Sequence, residues 1–123
     1  MKIRVYYEDT DCGGVVYHSN YLNFCERARS ELFFQKGLSP HNEDEFFVVK
    51  KIEADYIKPA RFADVLEVKT QLIKQKNTSL VMNQEIYRAD ELIFRMAVTV
   101  VFLKAMKPAK IPLKLMEIFD ENR

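Results

Sequence analysis

The sequence predicts an α+β fold in which one long helix packs on an antiparallel sheet. A single long helical pattern follows a first short strand, and four further strand patterns come after it. Those four strands are joined mostly by connections of hairpin length, and such connections link antiparallel neighbours. The 123 residues suit one domain, which we expect to span residues 1–123.

The N-terminal third supplies the first strand and the helix. Residues 2–8 alternate apolar and polar side chains, as a short strand does. After a polar turn, apolar residues recur at helical spacing until about residue 36, and Gly37 follows where a left-handed residue ends many helices. Ser19 and Asn20 precede this pattern, and their side-chain oxygens are expected to cap the first free N–H groups.

The rest of the chain alternates in the manner of strands. Four strands are predicted, over residues 46–57, 64–74, 80–89 and 92–103. The last of them is apolar on both faces, which indicates a central position. Residues 111–119 are predicted to form a short terminal helix opened by Pro112. Because one helix covers only one face of such a sheet, we expect the other face or an edge to meet a partner subunit.

Composition and charge exclude several classes of protein. Apolar residues make up 48% and charged residues 30% of the chain, as in ordinary globular domains. The net charge of +1 gives no case for nucleic acid. No apolar run reaches the roughly 18 residues of a membrane-spanning helix or has the features of a signal peptide, so we expect a cytoplasmic protein. Cys12 and Cys25 suggest neither a disulfide scaffold nor a zinc site.

Residues 8–18 read EDTDCGGVVYH and lead directly into the helix. They resemble the start of a calcium loop, but Gly13 stands where a side-chain oxygen ligand is needed and Asn20 stands where a bidentate Glu is needed, so no metal is expected. Asp and Gly are also common turn formers, so a structural turn is an alternative. An acidic side chain beside a helix N-terminus can also take part in catalysis. The helix N-terminus can polarise a carbonyl, and the carboxylate can attack it or activate water.

The segment YYEDTDCGGVVYHSNYLNFCERARSELF resembles the signature of the YbgC-type acyl-CoA thioesterases, in the 4-hydroxybenzoyl-CoA thioesterase branch of the hotdog-fold superfamily. The pattern matches from Tyr7 to Tyr21, and residues 55–70 resemble a second, less specific family segment. The resemblance implies a hotdog fold, with a five-stranded antiparallel sheet wrapped around one long central helix. It also implies active sites at the interface of a homodimer, often paired again into a homotetramer.

The resemblance also implies roles for individual residues. Asp11 matches the catalytic carboxylate, which would act as nucleophile or general base. His18 matches the histidine at the helix start, where its backbone N–H would polarise the thioester carbonyl. Tyr7 also matches and would position Asp11 or the acyl group. The expected substrate-binding residues are Gly13, Gly14, Tyr17, Asn20, Lys58 and Arg61.

This substrate-binding set has three parts. Gly13 and Gly14 leave the backbone open to substrate, and two further side chains lie at the helix start. Lys58 and Arg61 are candidates for binding the phosphates of coenzyme A. Coenzyme A is expected as part of the substrate, with no separate cofactor.

The expected reaction is hydrolysis of acyl-CoA to a carboxylic acid and coenzyme A. An acyl carrier protein in place of coenzyme A is an alternative, as is a non-catalytic acyl-binding module, although such a module needs neither Asp11 nor His18. A hotdog dehydratase is a third alternative, but its catalytic His would lie in a helix interior, whereas here the His and the Asp both lie in one turn-to-helix element, which favours hydrolysis. The acyl group, an anhydride or a water-activation route, and a dimer or a tetramer stay open at this level.

Overall fold

The computed structural model describes residues 1–120, which form two α-helices and seven strands. Helix α1 spans Asn20–Phe34 and helix α2 spans Leu113–Asp120. The strands are β1 (Lys2–Arg4), β2 (His41–Asn42), β3 (Glu45–Tyr56), β4 (Val65–Gln75), β5 (Ser79–Arg88), β6 (Glu91–Lys104) and β7 (Lys107–Pro108).

All strand pairs are antiparallel, in the order β1-β4-β5-β6-β3-β2, and β7 pairs with β6. The five predicted strands are therefore present, and the two further strands have only two residues each. Strand β6 lies between β5 and β3, which confirms its predicted central position. The predicted α+β arrangement, with an antiparallel sheet and one long helix, is confirmed.

Helix α1 packs on the inner face of the sheet. Its buried residues are Tyr21, Phe24, Cys25, Ala28 and Phe33. The ring of Tyr21 stacks on Phe94 of β6, with 5.1 Å between centroids. Gln84 of β5 is fully buried and donates to the Cys25 carbonyl at 2.9 Å. At the other end of α1, Phe119 of α2 meets Phe33 edge to face at 5.4 Å.

The first strand is shorter than predicted, because the chain turns after it. Residues Tyr7–Asp9 form a 3₁₀ turn. The buried carboxylate of Asp9 accepts a hydrogen bond from the Tyr6 N–H at 2.9 Å. This contact holds the turn, and strand β1 consequently ends at Arg4.

The predicted side-chain caps of α1 are wrong. Ser19 has helical backbone angles (φ −72°, ψ −19°), and within residues 1–120 its side chain makes no capping hydrogen bond. The amide of Asn20 instead donates to the Asp9 carbonyl at 2.9 Å, which ties the helix start to the preceding turn. At the C-terminal end, Gly37 adopts a φ of +70°, as predicted for a left-handed residue.

Strand β3 forms an uncovered edge of the sheet. Beyond its two-residue pairing with β2, no strand in the described part of the chain pairs with its outer edge. Val49, Ile52 and Tyr56 lie opposite buried inner-face residues of β6, yet they are 47%, 37% and 50% exposed. An exposed edge strand can serve as a template for pairing with another chain. Over the described residues, neither helix is long and apolar enough to cross a membrane.

Candidate active site

A small hairpin precedes α1 and carries Asp11. Thr10 and Val16 face each other in an antiparallel bridge, and the Asp11 N–H donates across the hairpin at 2.9 Å. Gly14 closes the turn by donating from its N–H to the Asp11 carbonyl at 3.1 Å. Its φ of +79° is a left-handed conformation that favours glycine.

The hairpin is anchored to the loop between β3 and β4. The Val16 N–H donates to the Ala60 carbonyl at 2.9 Å, and Val15 forms a bridge with Arg61. The Tyr17 N–H donates to the Asp9 carbonyl at 2.9 Å. The buried Asp9 therefore stabilises the loop, whereas the Asp11 side chain is exposed to solvent.

The Asp11 carboxylate is only partly engaged. Its Oδ1 accepts from the Gly13 N–H at 2.8 Å, and a Cβ atom at Gly13 would lie 3.2 Å from that oxygen. Its Oδ2 has no hydrogen-bond partner among residues 1–120. An exposed carboxylate with one unbonded oxygen suits a nucleophile or a general base. In the same range, no three His, Cys, Asp or Glu side chains form a group that could hold a metal ion.

The start of α1 offers unbonded N–H groups. The backbone N–H groups of His18 and Ser19 find no acceptor within the part of the chain that the structure describes. Such donors at a helix N-terminus can polarise a carbonyl. The His18 ring is exposed and lies 4.3 Å from the Tyr17 ring, centroid to centroid. The His18 carbonyl accepts from the Tyr56 hydroxyl at 2.8 Å.

A pocket of about 240 Å³ adjoins His18. Its other lining residues are Val16, Tyr21, Tyr56, Ile57, Lys58 and Pro59. The lining is mostly apolar, with one cation at its edge. Asp11 is not among these residues, so the structure brings His18 and Lys58 together but does not place Asp11 in the same pocket of a single chain.

Tyr7 lies on the outside of the loop. Its side chain is 76% exposed and stacks on Phe62, with centroids 4.0 Å apart and planes 13° apart. The pair forms an aromatic platform beside the hairpin, and Tyr7 touches Phe62 rather than a buried acyl pocket.

The predicted phosphate-binding cations differ in their surroundings. Lys58 pairs with Glu91, which also accepts from Arg88 at 2.9 Å. Hydrogen bonds from Lys58 and Arg88 lower the pKa of the Glu91 carboxyl. Lys58 is therefore partly neutralised. The Arg61 guanidinium makes no ion pair or hydrogen bond with any described residue, so it is available to bind a phosphate.

Sequence reasoning missed Tyr56. The strand pattern places it on one face with Ile52 and Ala54, but nothing local in the sequence points to His18, which is 38 positions away. The Tyr56 ring packs on Tyr21 at 5.4 Å, and burial raises the pKa of its phenol. Only the fold brings this hydroxyl to the helix start.

The chain is similar to known thioesterases. The family model of the thioesterase superfamily matches residues 13–94. The acyl-CoA thioesterase YbgC of Helicobacter pylori is 53% identical over 87 residues, which are 71% of this chain and 65% of that protein. The acyl-CoA thioester hydrolase YbgC of Escherichia coli is 41% identical over 128 residues, covering 97% of this chain and 93% of that protein.

The fold is also found among solved structures. A crystal structure of a hypothetical protein from Aquifex aeolicus superposes with a TM-score of 0.91 at 25% identity, covering 97% of both chains. This likeness and the family match confirm the predicted hotdog fold. The chain belongs to the thioesterase superfamily and, within it, to the YbgC-type acyl-CoA thioesterases.

Proposed function

We propose that this chain hydrolyses acyl-CoA thioesters to a free carboxylic acid and coenzyme A. The observation that carries the proposal is one loop-to-helix element that holds both the exposed Asp11 carboxylate and the unbonded N–H groups of His18 and Ser19. A carboxylate and backbone N–H donors for the developing oxyanion are the two parts that acyl transfer to water requires. The named activities of the YbgC relatives agree with this chemistry.

The chemistry follows from these groups. The free N–H groups donate hydrogen bonds to the thioester oxygen and stabilise the negative charge that develops on it. In one route the Asp11 carboxylate attacks the carbonyl carbon and expels the thiolate, and water then cleaves the resulting mixed anhydride. In the other route Asp11 takes a proton from the water that attacks the thioester. In either route the hydroxyl of water ends on the acyl carbon and a proton ends on the sulfur of coenzyme A. In our proposal the His18 imidazole orients water or protonates the leaving thiolate.

A homodimer completes this site in our proposal. The apolar edge of β3, with Val49 and Ile52 exposed, is suited to pairing with the same edge of a second chain. That pairing would set the helix start of one chain beside its partner. The separation of Asp11 from the His18 pocket in a single chain supports a shared site. A dimer of this kind, or a tetramer built from two of them, is the expected assembly.

Arg61 is the residue that we assign to the phosphates of coenzyme A. It borders the hairpin through its bridge with Val15, and its side chain is unpaired among the residues described. Lys58 is a weaker candidate, since Glu91 already binds it. Guanidinium groups bind phosphate through two parallel hydrogen bonds. Gly13, Gly14, Tyr17 and Asn20 complete the proposed substrate site, with Tyr7 on its outer side.

The experiment is release of free thiol from acyl-CoAs with chains of C2 to C18 and from one aromatic acyl-CoA. Cys12 is exposed, so an enzyme-only blank is required. Turnover of any of these thioesters supports the proposal, and the profile identifies the acyl group. Turnover of acyl-carrier-protein thioesters alone would move the assignment to a carrier-protein thioesterase. Binding without turnover of either would indicate a non-catalytic acyl-binding module.

A further inference from the structure

A second pocket, which we call the distal pocket, lies between α1, β3 and α2. Its volume is about 280 Å³. Its apolar floor includes Phe47 of β3, Met82 of β5 and Phe119 of α2, and its rim carries Glu26 and Arg29 of α1. An apolar floor with a few placed polar groups is the usual composition of a small-molecule site.

Arg29 forms no close ion pair within the described residues, although Glu26 acts on it from a longer distance. Its Nη1 donates to Oε1 of the buried Gln84 at 2.8 Å, while the Gln84 amide is committed to the Cys25 carbonyl and to Thr70. No carboxylate among residues 1–120 lies within 4 Å of the guanidinium. Burial lowers the pKa of Arg29, although a guanidinium remains charged in proteins. Its remaining donors are therefore free for an anion.

Strand β3 lines both pockets, with Val49 at the distal pocket and Tyr56 at the pocket beside His18, and we call the inner face between them the apolar strip. The helix runs alongside β3, because Tyr21 contacts Tyr56 at 5.4 Å near one end and Phe33 contacts Phe47 at 6.0 Å near the other. Between these contacts, Ile52 is exposed on the inner face of β3 in a single chain, and in the proposed dimer it would lie between this strip and the second chain. A chain that begins at the helix start can follow this strip to the distal pocket.

The length of the strip sets the length of the chain that fits. The helix rises 1.5 Å per residue, so about 13–14 Å separate Asn20 from Arg29. An extended backbone advances about 1.1–1.2 Å per bond, so this distance corresponds to about twelve bonds. The start of α1 and the backbone of Arg29 are thus about one medium-length acyl chain apart.

We infer that the distal pocket binds the far end of the acyl chain and that Arg29 selects chains of about twelve carbons that end in a carboxylate. The inference rests on the proposed thioesterase function. A guanidinium binds a carboxylate through two parallel hydrogen bonds, and this pairing strengthens where the surroundings exclude water. Without such a cation, placing a carboxylate against an apolar floor is strongly unfavourable.

Glu26 opposes this binding. It lies on the same rim, and its Oε1 is 3.5 Å from the Ser30 hydroxyl. Its charge attracts Arg29 and repels a bound carboxylate. Because Glu26 is exposed, solvent and salt weaken that repulsion. Removing the charge of Arg29 should therefore lower the preference for a carboxylate-ended chain, and removing the charge of Glu26 should raise it.

The test compares two acyl-CoAs that differ only at the chain end, lauroyl-CoA and dodecanedioyl-CoA. The measured quantity is the selectivity ratio, kcat/KM for dodecanedioyl-CoA divided by kcat/KM for lauroyl-CoA, which cancels general losses of activity. We expect a ratio of about one or more in the wild type, at least a tenfold lower ratio in Arg29→Gln, and a ratio roughly two- to fivefold higher in Glu26→Gln. Arg27→Gln is the matched control, since Arg27 carries the same charge on α1 but does not line the distal pocket.

Several results would overturn the inference. One is a wild type that hydrolyses lauroyl-CoA but rejects dodecanedioyl-CoA, and another is an equal ratio for Arg29→Gln and Arg27→Gln. Either of these leaves the thioesterase proposal intact. If Arg29→Gln does not fold, an unchanged ratio in Glu26→Gln overturns the inference instead. A wild type without turnover of any acyl-CoA would reject the thioesterase proposal and this inference together.

Discussion

The Tyr56 hydroxyl donates a hydrogen bond to the His18 carbonyl at 2.8 Å and thereby ties the edge strand β3 to the start of α1. The rings of Tyr21 and Phe94 hold the Tyr56 ring edge-on, at 5.4 Å and 5.0 Å. Because a peptide group is planar, fixing the His18 oxygen also fixes the direction of the Ser19 N–H. Tyr56 is thus a positioning residue for one of the two unbonded donors.

Replacing Tyr56 by Phe should lower kcat by roughly five- to tenfold with little change in KM. The variant keeps the ring and loses one hydrogen bond, whose net contribution is about 1 kcal/mol. Steady-state kinetics on the best acyl-CoA measure the split. Tyr87→Phe is the control, since that hydroxyl bonds to Glu85 elsewhere on the sheet. Equal kcat values for the two variants would argue against a positioning role.

The two adjacent glycines should respond differently to alanine. Gly14 has a φ of +79° and no atom within 4 Å of an added Cβ, so Gly14→Ala should lower the free energy of unfolding by about 1 kcal/mol through backbone strain. Gly13→Ala would place a Cβ 3.2 Å from the Asp11 Oδ1, so it should displace the carboxylate and lower kcat. Chemical denaturation measures the free energy of unfolding and steady-state kinetics measure kcat, so applying both to each variant separates the two effects. A Gly13→Ala enzyme with wild-type kcat would contradict the assigned role of Asp11.

A charge on the inner face of β3 should break the proposed assembly. Ile52→Asp places a carboxylate where we expect a second chain, and an unpaired charge in an interface is costly. Light scattering should show a monomer for this variant, with loss of activity. Ile73→Asp on β4 is the control, because Ile73 is 57% exposed away from that edge. A wild type that is itself monomeric and active would contradict a shared site.

The two cysteines should differ in their reactivity towards thiol reagents, and Cys25 should make the free energy of unfolding depend on pH in the alkaline range. Cys12 is exposed, whereas burial raises the pKa of the Cys25 thiol to about 12. A thiol reagent at pH 8 should therefore modify one thiol per native chain and two per unfolded chain, and Cys12→Ser should abolish the native reaction. Because the folded protein favours the protonated thiol, its stabilising contribution is complete below pH 9 and is lost as the pH rises towards 12. Rapid native modification of Cys25 would contradict its burial.

Local patterns explain what the sequence could predict. The periodicity of α1 and of the long strands follows from which side chains are buried, so their bounds agree with the structure to within a few residues. Asp11 and His18 were recognisable because both lie in one continuous motif. The end of β1 was not predictable from alternation, since the Asp9 carboxylate turns the chain there.

Long-range contacts explain what the sequence could not predict. Local sequence does not indicate which carboxylate pairs with Lys58. The fold pairs its ammonium group with Glu91, 33 positions away. Gln84 looks like an ordinary strand residue, yet it is fully buried and binds Cys25, 59 positions away. Such pairings depend on which strands become neighbours, and no local spacing encodes them.

The most direct test of the central claim is the rate of thiol release by Asp11→Asn and by the wild type on the best acyl-CoA. The variant keeps the size and the hydrogen bond from Gly13 but removes the negative charge. We predict at least about a hundredfold loss in kcat/KM, or about 2.7 kcal/mol of transition-state stabilisation, with unchanged circular dichroism and assembly state. An Asp11→Asn enzyme that keeps wild-type turnover would show that the hairpin is only a turn and that the catalytic carboxylate lies elsewhere.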